Sequence, residues 1–433
     1  MSQISGDTPD GVLRTRQLLQ LSLPALLIGV ASALTLWLLE ELAHLLQQVW
    51  WETLPGALGV DPAGWWVVLV LTLTGAAVGL VVWLVPGHGG TDSATTELVA
   101  PTLPVSALPS VALVVVLALA GGVSLGPESP IIAINTAIAV AVVARLWRAV
   151  PTELVVVLAA AGTIGALFGT PVAAALVFTG ILAATKAPGS LWDKLFLPLV
   201  AAGVGSVVAS MVGGGISMTA GIPAYRPENP ALEALWGVGV ACAAAALALV
   251  GVAVFPHLHR LFRRLGNPVI YTTLGGLILG LLGLVGGPLT LFKGLEQSAE
   301  LLTNPDAYSP AQLAVITVVK LAALVVAAAA GFRGGRIFPA VFIGVALGTL
   351  AHALIPSLPL GLAVACGVLG LTLAVSRDGW IALFIAVAIS GDITLLPVMC
   401  VVILPTWLIV RVAPEMIVHP KKSEASGTLP ASA

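Results

Sequence analysis

Glu128 is the residue of this chain best placed to do chemistry. It sits in Gly126-Pro127-Glu128-Ser129-Pro130, one carboxylate inside an otherwise apolar stretch from about 103 to 143. An ionisable group at membrane depth is costly unless it serves a pathway, where it can gate an ion or carry a proton. Three further charged groups stand next to glycine-rich breaks: Asp92 after Gly90-Thr91, Arg336 after Gly334-Gly335, and Asp392 before Ile393 in Gly391-Asp392-Ile393-Thr394. A fourth candidate is Ser124, because Gly122-Val123-Ser124-Leu125-Gly126 satisfies Gly-x-Ser-x-Gly. That motif exposes a nucleophile only on a strand-to-helix turn with a base beside it. His352 is the histidine within an apolar run of the second half, and nothing in the sequence orients it, so an intramembrane serine hydrolase stands as a distant alternative.

The elements that must position these groups follow from composition. The 433 residues are 58% hydrophobic and 9% charged, with mean hydropathy +1.08, which describes a polytopic membrane protein. Apolar runs fall near 17–40, 64–86, 103–121, 131–146, 154–183, 195–213, 234–256, 269–287, 310–331, 337–354, 358–375, 380–390 and 395–413. Several are shorter than the roughly 20 residues that a crossing helix needs, so broken and tilted helices are expected. Irregular backbone survives at that depth only where protein or a water-filled cavity covers it. Net charge of −2 excludes a nucleic-acid binder with a basic face. Cys242, Cys366 and Cys400 lie in apolar segments without metal spacing and read as packing residues. No Walker-type loop is present, so ATP does not drive this chain, and no metal or other cofactor is expected.

Charge sets the predicted topology. Arg14 and Arg16 precede the first helix, His257-Leu258-His259-Arg260-Leu261-Phe262-Arg263-Arg264 lies mid-chain, and Lys421-Lys422 follow the last helix. The positive-inside rule puts all three in the cytoplasm. The polar stretch Gly213 to Glu233 is separated from the basic block by one helix-length run and belongs outside. The predicted organisation is therefore a cytoplasmic segment 1–16, a membrane repeat 17–213, an external linker 214–233, an inverted repeat 234–413 and a mobile cytoplasmic tail 414–433. Inverted repeats bring discontinuous helices from both halves together near the midplane.

The halves align around their breaks. Gly122 to Ile132 in the first matches Gly331 to Val341 in the second, with Pro130 and Pro339 separated by 339 − 130 = 209 residues. Pro86-Gly87-His88-Gly89-Gly90-Thr91-Asp92-Ser93 is a third start of the same kind. Proline in the first turn marks a helix N-terminus, and such termini present unpaired N–H groups and about half a positive charge. Several aimed at one place form an anion site without lysine or arginine, so the predicted cargo is an anion.

On these motifs the chain resembles the CLC family of chloride channels and chloride/proton antiporters, and within it a short bacterial ion-transport subgroup. The likeness covers roughly 17–413. It implies that Gly126-Pro127-Glu128-Ser129-Pro130 stands for the family's Gly-Arg/Lys-Glu-Gly-Pro, with Glu128 as the gating side chain that competes with anions. It implies that Gly334-Gly335-Arg336-Ile337-Phe338-Pro339 stands for Gly-Gly-Ile-Phe-x-Pro, with backbone amides at Arg336 and Ile337 facing the ion and Phe338 counted with them in the anion site. It further implies that Gly90-Thr91-Asp92-Ser93-Ala94 stands for Gly-Ser-Gly-Ile-Pro, with Thr91 keeping the coordinating hydroxyl, and that the protein is a homodimer in the cell membrane. Two departures count against full equivalence. The family's antiporters carry an internal glutamate where this chain runs Phe168-Gly169-Thr170-Pro171 to Thr179-Gly180-Ile181, and the filter tyrosine aligns with Asp392 or Ile393.

Plainer roles compete with these. Glu128 in a first helical turn stabilises the helix dipole, Asp92 suits a helix cap, and buried arginines such as Arg336 commonly pair with a carboxylate or snorkel. Arg336 could offset Glu128, Asp92 or Asp392. Lys293 and Lys320 carry no assigned role. The expected function is passage of a small inorganic anion, chloride first, channel-like because the internal carboxylate is missing. A proton-coupled antiporter with another proton route is the alternative, and acidic rings would favour a cation.

Overall fold

In a computed structural model the chain is described from residue 15 to 418, apart from 97, 100, 101, 149, 184–189 and 214–221. The expected N-terminal segment up to Arg14, Lys421-Lys422, most of the tail and the first part of the linker lie outside the described residues. Fifteen helices follow. In the first half α1 (Thr15–Gln48) runs on through a π-turn to Leu58, followed by α2 (Trp65–Leu84), α3 (Leu108–Ala120), α4 (Glu128–Leu146), α5 (Thr152–Phe168), α6 (Pro171–Ala183) and α7 (Leu191–Met211). The second half holds α8 (Pro230–Arg263), α9 (Pro268–Gly286), α10 (Leu295–Thr303), α11 (Pro310–Ala329), α12 (Ile337–Leu354), α13 (Leu360–Ser376), α14 (Gly379–Ser390) and α15 (Leu396–Arg411). Nine helices among the described residues are long and apolar enough to cross a membrane, and the rest include short ones of the kind that the interrupted runs predict.

The breakers act where the sequence has them. Pro230, Pro268 and Pro310 each open a helix, where the missing N–H costs nothing. Ser190 with Asp193 and Ser309 with Gln312 form capping boxes at α7 and α11. The apolar run 154–183 is cut into α5 and α6, because Gly169 takes a left-handed φ of 67° and Pro171 starts the next helix.

The helix order repeats. The start of α12 follows that of α4 by 337 − 128 = 209 residues, and that of α13 follows α5 by 360 − 152 = 208. Close helix approach at the seam between halves is made by glycine. A Cβ on Gly276 of α9 would lie 2.2 Å from Leu71 O of α2, and one on Gly75 of α2 would lie 2.3 Å from Thr272 O of α9. In lipid, where apolar side chains gain nothing by leaving tails of equal polarity, such backbone proximity is what holds helices together.

Two ends of the bundle can be distinguished. At one, Tyr225 of the linker meets the α14–α15 turn: its N–H donates to Asp392 Oδ2 at 2.5 Å, and its hydroxyl donates to Glu233 Oε2 at 2.8 Å. The other carries the basic residues Arg260, Arg263, Arg264 and Arg411. We refer to them as the linker end and the basic end.

Gly276→Leu should separate α2 from α9 and cost about 1–3 kcal/mol, the usual effect of overpacking. A lowered unfolding temperature of the detergent-purified variant checks this, and an unchanged one refutes the close-contact account.

Candidate functional site

The site begins with two glycines. After α3 the chain turns back at Gly122 (φ 85°), and after α11 it does so at Gly331 (φ 82°). Both return segments then meet edge to edge: Gly126 N–H donates to Gly335 O at 2.9 Å and Gly335 N–H to Gly126 O at 2.6 Å. These residues are 335 − 126 = 209 apart, so the pair joins equivalent points of the two halves. Backbone groups that would otherwise be unsatisfied at this depth are thereby spent on each other. The third glycine-rich start is fastened to the second by Ser93. Its Oγ lies 2.7 Å from Phe332 O and 2.9 Å from Gly334 O and accepts from Gly334 N–H at 2.9 Å.

Glu128 follows directly and is fully buried. Its Oε1 accepts from Phe338 N–H at 2.9 Å, so the carboxylate takes one of the free donors at the start of α12. Its Oε2 has no hydrogen-bond partner among the described residues. That oxygen sits so close to Gly335 that a Cβ there would be 1.9 Å away, and one on Gly126 would be 2.3 Å away. The two glycines therefore make a nook that a carboxylate oxygen fills. Phe338 is steadied from α5, its ring centroid 5.8 Å from that of Phe168.

Space lies on both sides of this point. Toward the basic end a cavity of about 480 Å³ is lined by Glu128, Ser129, Gly335, Arg336 and Ile337, and also by Arg377, Asp378 and Glu415-Met416-Ile417. Toward the linker end a second cavity of about 200 Å³ holds Glu40, Glu41, His44, Lys293 and Glu296. There Lys293 Nζ donates to Glu40 Oε1 at 2.7 Å. Lys293 and Arg336 are cations whose charge reaches Glu128. Lys320, buried in α11, donates to three carbonyls, Thr290 O at 3.0 Å, Leu291 O at 2.8 Å and Phe292 O at 2.6 Å, and lies 5.3 Å from the centroid of the Phe342 ring.

The remaining residues singled out in the sequence distribute unevenly. Gly126, Pro127, Glu128, Ser129, Arg336, Ile337 and Phe338 come together around the nook. Thr91 shares a narrow cleft with Ser129, Pro130 and Gly334, and Gly90 (φ 75°) turns the chain into it. Arg336 lines the large cavity and donates Nη2–H to Thr96 O at 2.9 Å. Asp92 does not face this space as a free acid. It pairs with Arg263 and with Arg333, whose Nη1 is 3.4 Å away, and it accepts from Ala94 N–H at 3.1 Å. Ser124 Oγ donates to Thr290 O at 3.3 Å, while His352 Nδ1 contacts Leu358 O at 2.7 Å, so nucleophile and base of the hydrolase alternative serve separate carbonyls.

Asp392 and Ile393 are displaced from the expected filter position. The 12 residues of α14 rise by about 18 Å, which carries the chain from Asp378 beside the cavity to the linker end. Ile393 is 75% exposed there. Asp392 is instead a latch. The Thr394 hydroxyl at 2.7 Å and the Tyr225 amide hold its carboxyl below the usual carboxylate range. Arg377 and residues 415–417 were not anticipated in this site. The signals were present: an arginine directly ending an apolar run, and the apolar triplet Met416-Ile417-Val418 after Pro414. The segment expected to be mobile from 414 is packed as far as Met416, 2% exposed, and Val418, whose N–H donates to Ala94 O at 2.8 Å.

Among the described residues no cluster of His, Cys, Asp or Glu could hold a metal ion. Residues 74–411 match the voltage gated chloride channel family, abbreviated CLC. The chain is 46% identical over 414 residues to the "Putative ion-transport protein YfeO" of Escherichia coli O1:K1 and of Shigella boydii serotype 4, covering 95% of this chain and 98% of each relative. Among solved structures it superposes on a slow cyanobacterial Cl−/H+ antiporter with TM-score 0.74 at 17% identity, covering 92% of this chain and 95% of that one. A CLC-type fluoride/proton antiporter gives TM-score 0.69 at 20% identity, covering 93% and 98%.

The latch has a pH signature. A carboxyl depressed in the fold adds stability that is present above its unfolded value and is lost as pH falls through its folded value. Asp392→Asn should therefore lower the unfolding temperature at neutral pH and match the parent in strong acid. Equal unfolding temperatures at both pH values would refute this.

Proposed function

The chain belongs to the voltage gated chloride channel (CLC) family, and from that premise we propose that it carries a small inorganic anion, chloride being the first to test, along a path gated by Glu128. The observation that carries the reading is the carboxylate held by Phe338 N–H with its second oxygen in the Gly126–Gly335 nook, between two cavities that open toward opposite ends. A helix N-terminus that binds one oxyanion binds another, so a free anion competes with the side chain for the same donors. Protonation weakens the carboxyl as an acceptor and opens the path. Flux then rises as pH falls.

Gly90, Thr91, Gly126, Pro127, Ser129, Arg336, Ile337 and Phe338 would line the anion's route in this reading, with Arg336 offsetting the negative charge of Glu128. Transport, rather than hydrolysis at Ser124, fits a serine hydroxyl given to a backbone carbonyl. The basic end faces the cytoplasm of a plasma or inner membrane by the positive-inside rule, and two subunits each with its own path would form the dimer. The missing carboxylate in α6 favours uncoupled flux. The structural relatives, one a chloride/proton and one a fluoride/proton antiporter, favour exchange with protons.

Purified protein in liposomes with an outward chloride gradient tests the reading, using a chloride electrode. Glu128→Gln should raise chloride efflux at neutral pH and flatten its pH profile, whereas a profile identical to the parent reduces Glu128 to a helix cap. Arg336→Ala should cut anion flux about tenfold, the equivalent of about 1.4 kcal/mol. Unchanged permeability removes Arg336 from the path.

A further inference from the structure

Near the middle of α11 stands a cation that the anion path does not use. Lys320 is fully buried, and no acid pairs with it among the described residues. An ammonium at such depth is costly and is kept where it holds something of consequence. What it holds is the loop 290–292, through the three carbonyls given above. Phe292, the last of the three residues, is left-handed at φ 57°, a conformation that a bulky side chain adopts only under constraint.

The loop in turn holds the segment that carries the gate. Phe292 N–H donates to Gly122 O at 3.0 Å, and Ser124 Oγ donates to the same Thr290 O that Lys320 binds. The Phe292 ring meets that of Trp51 edge-on with centroids 5.4 Å apart, and Trp51 Nε1–H reaches Ala120 O at 2.9 Å, so the turn at Gly122 is fixed from both sides. Glu128 follows four residues after Ser124. On its other side the lysine lies against the ring of Phe342, one helical turn beyond Phe338, whose N–H binds the Glu128 carboxylate. Loop and α12 are in direct contact there, since a Cβ on Gly294 would lie 2.6 Å from Phe342 Cβ. Lys320 thus stands between the two elements whose spacing sets the Glu128–Phe338 hydrogen bond. The charged groups that face Glu128 are Lys293 from the same loop, Arg336 before α12, and Arg377, Asp378 and Glu415 across the large cavity.

We propose that Lys320 is a positioning residue for the Glu128 gate, fixing through the loop 290–292 the spacing between the return segment from Gly122 to Gly126 and the start of α12. The inference rests on the gated anion path above. With the ammonium in place the carboxylate meets the Phe338 amide at 2.9 Å. Without it three buried carbonyls lose their donor, the loop shifts to find others, and Gly122 moves with it. The Phe338 amide then passes more readily from the side chain to an anion, at a pH where the parent carboxylate still keeps it.

The test uses the full chain in liposomes with a chloride electrode over a series of pH values. Lys320→Met, which nearly keeps the length of the side chain and removes its donors, should raise chloride efflux at neutral pH about tenfold, the scale of one net hydrogen bond, and move the rise in flux to higher pH. Introduced into Glu128→Gln it should add no further change to the pH profile, because the group it positions is gone. Lys320→Arg, which keeps donors, should restore part of the parent profile. A Lys320→Met profile equal to the parent's, or a change of the same size with and without the Glu128 carboxylate, overturns the inference and leaves a lysine that only holds its loop. If Lys320→Met does not purify as a folded protein, Phe342→Leu, which keeps the lysine and removes the α12 ring it touches, decides in its place: a rise at neutral pH supports the inference and an unshifted profile overturns it. A parent whose pH profile does not respond to Glu128→Gln removes the gate itself, and the inference with it.

Discussion

The structure depends on the backbone pair between Gly126 and Gly335. Each half of the chain brings a broken helix to membrane depth, where exposed N–H and C=O groups would be prohibitive, and each half supplies the partner that the other lacks. A Cβ on either glycine would run into the Glu128 side chain, so the paired glycines also leave open the nook where a carboxylate oxygen rests. The join between the halves and the carboxylate nook thus come from the same two glycines. Phe338 and Ser93 then tie the start of α12 to Glu128 and to the third glycine-rich turn.

Much of this was legible in the sequence, because membrane folds are punctuated by residues with one physical meaning. Gly122, Gly331, Pro130 and Pro339 could only mark interrupted helices at their depth, and their common spacing revealed the repeat. The cut at Gly169 was harder to see, since Phe168 and Pro171 stand in one apolar run whose composition does not change across it. The carboxylate of Glu128 was legible as costly. Its partner was not, for a hydrogen bond to an amide 210 positions away leaves no mark on local pattern.

Asp92, Asp392 and the segment 414–418 show a different limit. All three acids, Asp92, Asp392 and Glu415, lie close to breaks in apolar runs, and sequence spacing alone cannot rank them. Three-dimensional neighbours separate them: two arginines take Asp92, a linker amide and a threonine take Asp392, and Glu415 lies in the cavity wall with Arg377. Arg377 was the overlooked clue, because an arginine at the end of a buried helix needs carbonyl acceptors, and the nearest supply is chain returning after α15.

Lys320 completes the picture behind the loop that borders the opposite cavity. An ammonium has three N–H donors, and the loop 290–292 offers three carbonyls within 3.0 Å, so donor and acceptor numbers match without any water or acid. Loops that turn their carbonyls inward elsewhere recruit sodium or potassium to quiet them. Here the donor is covalently tethered, so the shape of that loop, and of the cavity wall that Lys293 of the same turn helps to line, is held by a group that cannot diffuse away.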